Sequence, residues 1–250
     1  MGYWVWSFQD DLYIISANML FMKLSHLVAV LAAFAAFGSA GALAMPPSEA
    51  GDVQDESSAT FFDVVSIRDA VEAMEKEDLN ESETSGILFM REEEKLARDA
   101  YQVFNETYGL RVFGNIGAAE ETHMESMGVL IDKYELDDPI LEAGNFSDPD
   151  LQDLYDDLVA QGSSSLEEAL RVGAAIEETD IQDLEDRLAE TDNEDISLVY
   201  QALLRGSRNH LRAFVNNLER RGIEYSPSVL SSEEFDEIVS SGNERGPYQT

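Results

Sequence analysis

The stretch AAEETHMES places Glu120 three residues before His123, inside a segment whose apolar residues recur at helical spacing. At that interval a carboxylate and an imidazole share one helix face on adjoining turns. Both fall on the seam Ile116, Glu120, His123, Met127, Leu130, Tyr134, whose alternating steps mark a bundle-facing stripe. Other seams carry the same anomaly. Glu94 interrupts Ile87, Met90, Ala97, Tyr101, Phe104 and Tyr108; Glu177 interrupts Leu166, Leu170, Gly173, Leu184 and Leu188; His210 interrupts Ile196, Val199, Leu203, Gly206 and Leu218. A buried, unpaired carboxylate is costly and either shifts its pKa or takes a partner. Carboxylates and imidazoles converging in one core are stabilised by metal ions, with oxygens bridging and imidazoles terminating the site. The alternative is a polar network in which the same side chains only hydrogen-bond one another.

Neighbouring carboxylates leave two assignments open. Glu93 adjoins Glu94, and periodicity alone does not separate them. Asp180 lies one turn beyond Glu177, as a further ligand or an outer neighbour. Glu92 falls on the polar side. Arg98, Asp99, Asp183, Arg208 and Arg212 read as ion pairs or as groups that orient ligands. Tyr101, two turns from Glu94, reads as core or as a redox-active neighbour.

The seams predict helices over about 82–108, 113–134, 165–190 and 194–221, after a short amphipathic element over about 62–76. Strand alternation is absent. Asp137-Asp138-Pro139 stops the second long helix and Gly222 the fourth. Ser163–Ser165, followed by acidic residues, starts the third. The connector NFSDPDLQDLYDDLVAQGSSS holds a short helix over 150–160, ended by Gly162. Such a crossover lets the chain re-enter the bundle from the other end. The expected fold is all-α: an antiparallel four-helix bundle with a crossover connector containing a short helix. The ligand order Glu, Glu-x-x-His, Glu, His nearly reproduces that of di-metal carboxylate bundles.

The 250-residue chain contains no cysteine. Disulfides, zinc–thiolate sites, Cys-ligated clusters and cysteine nucleophiles are excluded. With 51 acidic and 16 basic residues and a net charge of −35, it lacks the basic footprint of a nucleic-acid binder. Its only lysines are Lys23, Lys76, Lys95 and Lys133. An acidic, lysine-poor surface suits concentrated salt, where repulsion is screened within about 3 Å at 1 M. Residues 22–44, MKLSHLVAVLAAFAAFGSAGALA, have the form of a secretory signal peptide cleaved after Ala44. The apolar run is too short for a comfortable transmembrane span, so no stable span is expected in the mature chain. The expected organisation is a doubtful N-terminal extension (1–21), a signal peptide (22–44), an acidic disordered linker (45–58), a helical domain (59–225), and a tail with a short helix (226–250). The expected location is secreted or cell-envelope.

EKLARDAY (94–101) resembles the first metal-binding helix of rubrerythrin-type proteins, and EETH (120–123) resembles their second-helix Glu-x-x-His. Together FMREEEKLARDAY, FGNIGAAEETHM, LYDDLVAQGSSSLEEALRVGAAIEETDIQDLE and GSRNHLRAF resemble a family of uncharacterised ferritin-like proteins, over about residues 82–225. The resemblance implies a ferritin-like bundle. It also implies one or two iron or manganese ions held by Glu94, Glu120, His123, Glu177 and His210. Ser207 departs from the pattern, which has a glutamate three residues before His210. That departure implies one metal held firmly and a second loosely, or Asp180 as a substitute ligand.

The expected function is therefore an exported metal-binding protein. It would be an oxygen- or peroxide-dependent oxidoreductase of ferroxidase or peroxidase type. Without cysteine it has no internal rubredoxin-type relay, so an electron donor would be a separate partner. The alternative is a non-catalytic metal-binding or structural/interaction helical module. A homodimer is compatible with either reading, and nothing argues for a mineral-storing cage.

Overall fold

The computed structural model describes residues 64–244. The expected extension, signal peptide and linker lie outside the described residues, as do residues 59–63 and 245–250. The described residues form helices α1 (Val64–Ala73), α2 (Glu81–Tyr108), α3 (Arg111–Tyr134), α4 (Pro149–Gly162), α5 (Leu166–Glu190), α6 (Glu194–Glu219) and α7 (Ser232–Ser240), with no strand among them. The boundaries have local causes. Asn80 and Glu83 form a reciprocal capping box at the start of α2, and Gly109, at φ 63°, closes it in the left-handed conformation. Asp148 and Ser165 cap α4 and α5 through their side chains.

Each of the four long helices packs on two others: α2 on α3 and α5, and α6 on α3 and α5. Polar contacts set their directions. Glu83, at the start of α2, accepts from Thr191 (2.6 Å) and Asn193 (3.0 Å) past the end of α5. Tyr108, at the end of α2, donates to the Gly162 carbonyl (2.7 Å) just before α5. Tyr134, ending α3, donates to Asp195 at the start of α6 (2.9 Å). Neighbours in the ring therefore run antiparallel, which is compatible with an antiparallel four-helix bundle. Since α3 ends and α5 begins at opposite ends, the connection must travel the bundle's length. It does so through α4, which packs on α2 and α5.

The crossover is tied to α2 by buried charge. Glu92 is buried rather than solvent-facing, because its carboxylate accepts from the Ser147 (2.5 Å) and Asp148 (3.2 Å) amides. Lys95 is fully enclosed, with its ammonium on Asp99 (2.6 Å) and the Asn145 carbonyl (3.0 Å) and above the Phe146 ring. The C-terminal segment is tied in the same way. Glu178 of α5 accepts from Tyr225 (2.5 Å) and from the amides of Ser228, Val229 and Leu230. Glu244 pairs with Arg208 (2.6 Å) and Arg212 (2.9 Å) of α6.

Candidate metal centre

The packing brings Glu94 of α2, Glu120 and His123 of α3, Glu177 of α5 and His210 of α6 together in the core. Glu120 is the hub. One of its oxygens stands 2.8 Å from His123 Nδ1 and the other 2.8 Å from His210 Nδ1. Glu94 flanks His123 at 3.2 Å, and Glu177 flanks His210 at 3.5 Å. The two imidazoles stack, their centroids 5.3 Å apart. Glu120, His123 and His210 offer ligand atoms that all lie within 4.8 Å of one another. Glu94, Glu120, Glu177 and His123 are at most 2% exposed, whereas His210 is partly open.

The helices fix these orientations. His123 lies so close to α6 that a Cβ on Gly206 would stand 2.3 Å from Nε2, so Nδ1 is the nitrogen turned toward the carboxylates. Tyr101 donates to Glu177 (2.6 Å), one α-helix across. Below this layer Tyr101 and Phe214 pack at 5.1 Å, and Gly173 is the residue that lets Phe214 approach α5. Ser207, at the position where a glutamate was the pattern, donates to Asp180, with the Leu203 carbonyl (3.0 Å) as the other acceptor within reach of the same hydroxyl. The adjacent glutamates diverge: Glu94 faces His123, while Glu93 turns to α5 and hydrogen-bonds Asp183.

Burial and mutual charge set the protonation. Burial pushes Glu94 up to about 7, with His123 partly offsetting it. Burial and the Glu120 charge push Glu177 to about 7, against the pull of His210. Burial alone would raise Glu120 as well, but the two imidazoles overcome it and hold the carboxyl well below its ordinary range. Both histidines run the other way. Burial disfavours their charge, yet Glu94 and Glu120 raise His123 far above its ordinary value, and Glu120 and Glu177 lift His210 to about 9. Burial and the surrounding carboxylates also raise Asp180.

These residues fit a metal ion. Glu94 Oε1, Glu120 Oε1, Asp180 Oδ1 and His210 Nδ1 are enclosed without a hydrogen-bond partner. Glu120 Oε1 and His210 Nδ1 are 2.8 Å apart without hydrogen-bond alignment. Two ligand atoms about 2.1 Å from one ion, at right angles, stand roughly 3 Å apart. Two imidazole nitrogens among carboxylates suit iron, manganese or zinc rather than copper(I) or calcium.

Two participants were not evident from periodicity. Gly206 was visible on its seam, but that it forms the wall behind His123 depends on helix separation. The Glu93–Asp183 contact joins residues far apart in sequence, and its only signal was a run of three glutamates opposite an acidic turn.

The model of a family described as an uncharacterized protein domain (DUF2202) matches residues 83–242. Uncharacterized protein MJ0754 of Methanocaldococcus jannaschii is 46% identical over 178 residues, covering 70% of this chain and 96% of that protein. The crystal structure of the hypothetical protein MJ0754 from Methanococcus jannaschii DSM 2661 is similar at a TM-score of 0.68 and 46% identity, covering 69% of this chain and 99% of that one. The match spans α2 to α7 and includes every residue of the Glu/His cluster. The chain belongs to the DUF2202 family.

Proposed function

We propose that this chain is a ferritin-like protein that binds iron or manganese through Glu94, Glu120, His123, Glu177 and His210 and serves as an oxygen- or peroxide-dependent oxidoreductase. The observation that carries the reading is Glu120 set between two stacked imidazoles, 2.8 Å from each Nδ1, with unpartnered buried oxygens around it. A hydrogen-bonded network alone would leave Glu94 Oε1 and Asp180 Oδ1 desolvated without return. A bound ion would supply a redox-active Lewis acid in a water-poor core. The chain's own groups do the rest. Gly206 and Glu120 aim His123, Tyr101 holds Glu177 by a hydrogen bond, and Glu94 and Glu177, near 7 in the metal-free core, would release their protons on binding the ion. The partly open edge of His210 offers a small oxidant its approach. Export to a saline exterior, with an external electron donor, completes the reading; its support is the residue pattern of 22–44 and the acidic composition.

A second reading, a single-metal structural module without turnover, is favoured by Ser207, which ties up Asp180 where another ligand would stand. Anaerobic loading with ferrous iron, followed by oxygen or peroxide, separates the two. The oxidoreductase reading expects oxidation of bound iron faster than in buffer and lost in Glu120→Ala/His123→Ala. Tight binding with no acceleration by the protein would leave the structural module.

A further inference from the structure

Glu177 has a neighbour on each oxygen. Its Oε2 faces His210 (3.5 Å), and its Oε1 accepts from the Tyr101 hydroxyl (2.6 Å). The Tyr101 ring is fully enclosed, 5.1 Å from Phe214 and 6.5 Å from Phe113. Two turns further along the same seam of α2 stands Tyr108, with Phe104 between them. At 1.5 Å per residue the two tyrosines lie roughly 10 Å apart along the helix axis. The space between is dry: Phe104 is fully buried against Gly162, and Tyr108 donates to the Gly162 carbonyl (2.7 Å). Tyr108 itself is partly exposed. The described residues contain neither tryptophan nor cysteine. Tyrosine is then the side chain that gives up a single electron most readily.

We propose that Tyr101 and Tyr108 form a two-step relay that carries electrons from a one-electron reductant at the end of α2 to the Glu/His centre during the reduction of peroxide. The relay rests on the oxidoreductase reading above and supplies the internal route that a cysteine-free chain otherwise lacks. Tyr101 gives up one electron toward the centre and passes its phenolic proton to Glu177 Oε1 along the existing hydrogen bond. That leaves a neutral tyrosyl radical walled by Phe113 and Phe214. Tyr108 then reduces Tyr101, Glu177 returns the proton, and Tyr108 loses its own proton to water at its exposed edge. The external reductant, with a proton from solvent, restores Tyr108. Two such passages, with two protons from solvent, convert one peroxide into two water molecules.

The test is anaerobic loading of the full chain with ferrous iron, addition of hydrogen peroxide, and freeze-quench electron paramagnetic resonance, with iron oxidation followed by absorbance. One electron from the ferrous ion and one from Tyr101 reduce the peroxide, so a protein radical is expected alongside iron oxidation. Tyr101→Phe should abolish the radical while iron is still oxidised, and Tyr225→Phe, outside the route, should leave it unchanged. Tyr108→Phe should keep the radical and slow its quenching by ascorbate at least tenfold. Should Tyr101→Phe not fold, 3-fluorotyrosine in place of Tyr101 carries the same test, by adding a ¹⁹F splitting to the signal. Iron oxidation without a radical, a radical unchanged in Tyr101→Phe, or wild-type quenching in Tyr108→Phe overturns the relay and leaves the oxidoreductase reading standing. Iron oxidised no faster than in buffer overturns that reading, and the relay with it.

Discussion

Gly206→Ala tests whether His123 is held for a ligand. In an ordinary helix interior this substitution stabilises by about 1 kcal/mol, because alanine loses less backbone freedom. Here the new Cβ would lie 2.3 Å from His123 Nε2 and 2.6 Å from Cε1. The imidazole has little room to yield, since its Nδ1 is already 2.8 Å from Glu120 and 3.2 Å from Glu94. Overpacking costs about 1–3 kcal/mol, so the helix gain is cancelled or outweighed, and the net change is about 0–2 kcal/mol of lost stability. The larger effect falls on metal affinity. Displacing the ring from its orientation should weaken Mn²⁺ or Fe²⁺ binding by about 10–100-fold or more. Urea melts of the metal-free protein and isothermal titration with Mn²⁺ read the two quantities separately. In a His123→Ala background the clash disappears, and Gly206→Ala should become stabilising by about 1 kcal/mol. A Gly206→Ala protein with wild-type metal affinity would refute the assignment of His123 as a ligand held in place by α6.

Metal affinity should climb steeply between pH 6 and 9. His210 sits near 9, so at pH 7 its proton costs binding roughly 3 kcal/mol, about a hundredfold, as read by Mn²⁺ titration at several pH values. The metal-free protein should show the opposite trend in stability. Glu94 and Glu177, raised to about 7 from 4.5, make the folded state hold protons that the unfolded chain has lost. Their contribution therefore falls from pH 4.5 to 7, and that of His210, raised from 6.5 to about 9, falls as pH passes through 9. Denaturant melts with and without metal should diverge as pH rises. Lys95→Met should cost about 1–3 kcal/mol, because Asp99 and the Asn145 carbonyl lose the ammonium while Asp99 keeps Arg98 (2.7 Å) and the Gly144 amide (2.9 Å), read by thermal or urea melts. Glu178→Ala strips the acceptor from the Ser228, Val229 and Leu230 amides, and should expose residues 225–230 to hydrogen exchange and proteolysis before the bundle itself unfolds.

Much of this arrangement is legible in the residue pattern because it is periodic. The seam steps that place Glu94, Glu120, His123, Glu177 and His210 on inward faces are local, and the long helices fall within about two residues of expectation at most ends. Asn80, Asp148 and Ser165 mark helix starts through capping chemistry that needs no tertiary contact. What periodicity does not carry is long-range. Glu92 reads as polar-facing until the crossover covers it and brings the Ser147 and Asp148 amides onto its carboxylate. Glu93 and Glu94 differ by a single helical step, and only α5, with Asp183, and α3, with His123, decide which faces what. Nothing in the periodicity marks Lys95, yet it is fully buried because Asp99 and the connector close over it. The α1 helix ends at Ala73, shorter than its amphipathic pattern extends.

The most direct measurement is metal content per chain after reconstitution with Fe²⁺ or Mn²⁺ in high salt, wild type beside Glu120→Ala/His123→Ala, with helicity followed by circular dichroism. The account predicts at least one tightly held ion per wild-type chain bearing nitrogen coupling, and its loss from an equally helical double variant. A folded wild-type chain that retains no such ion would contradict it, and the buried glutamates and histidines would then be a hydrogen-bonded core network.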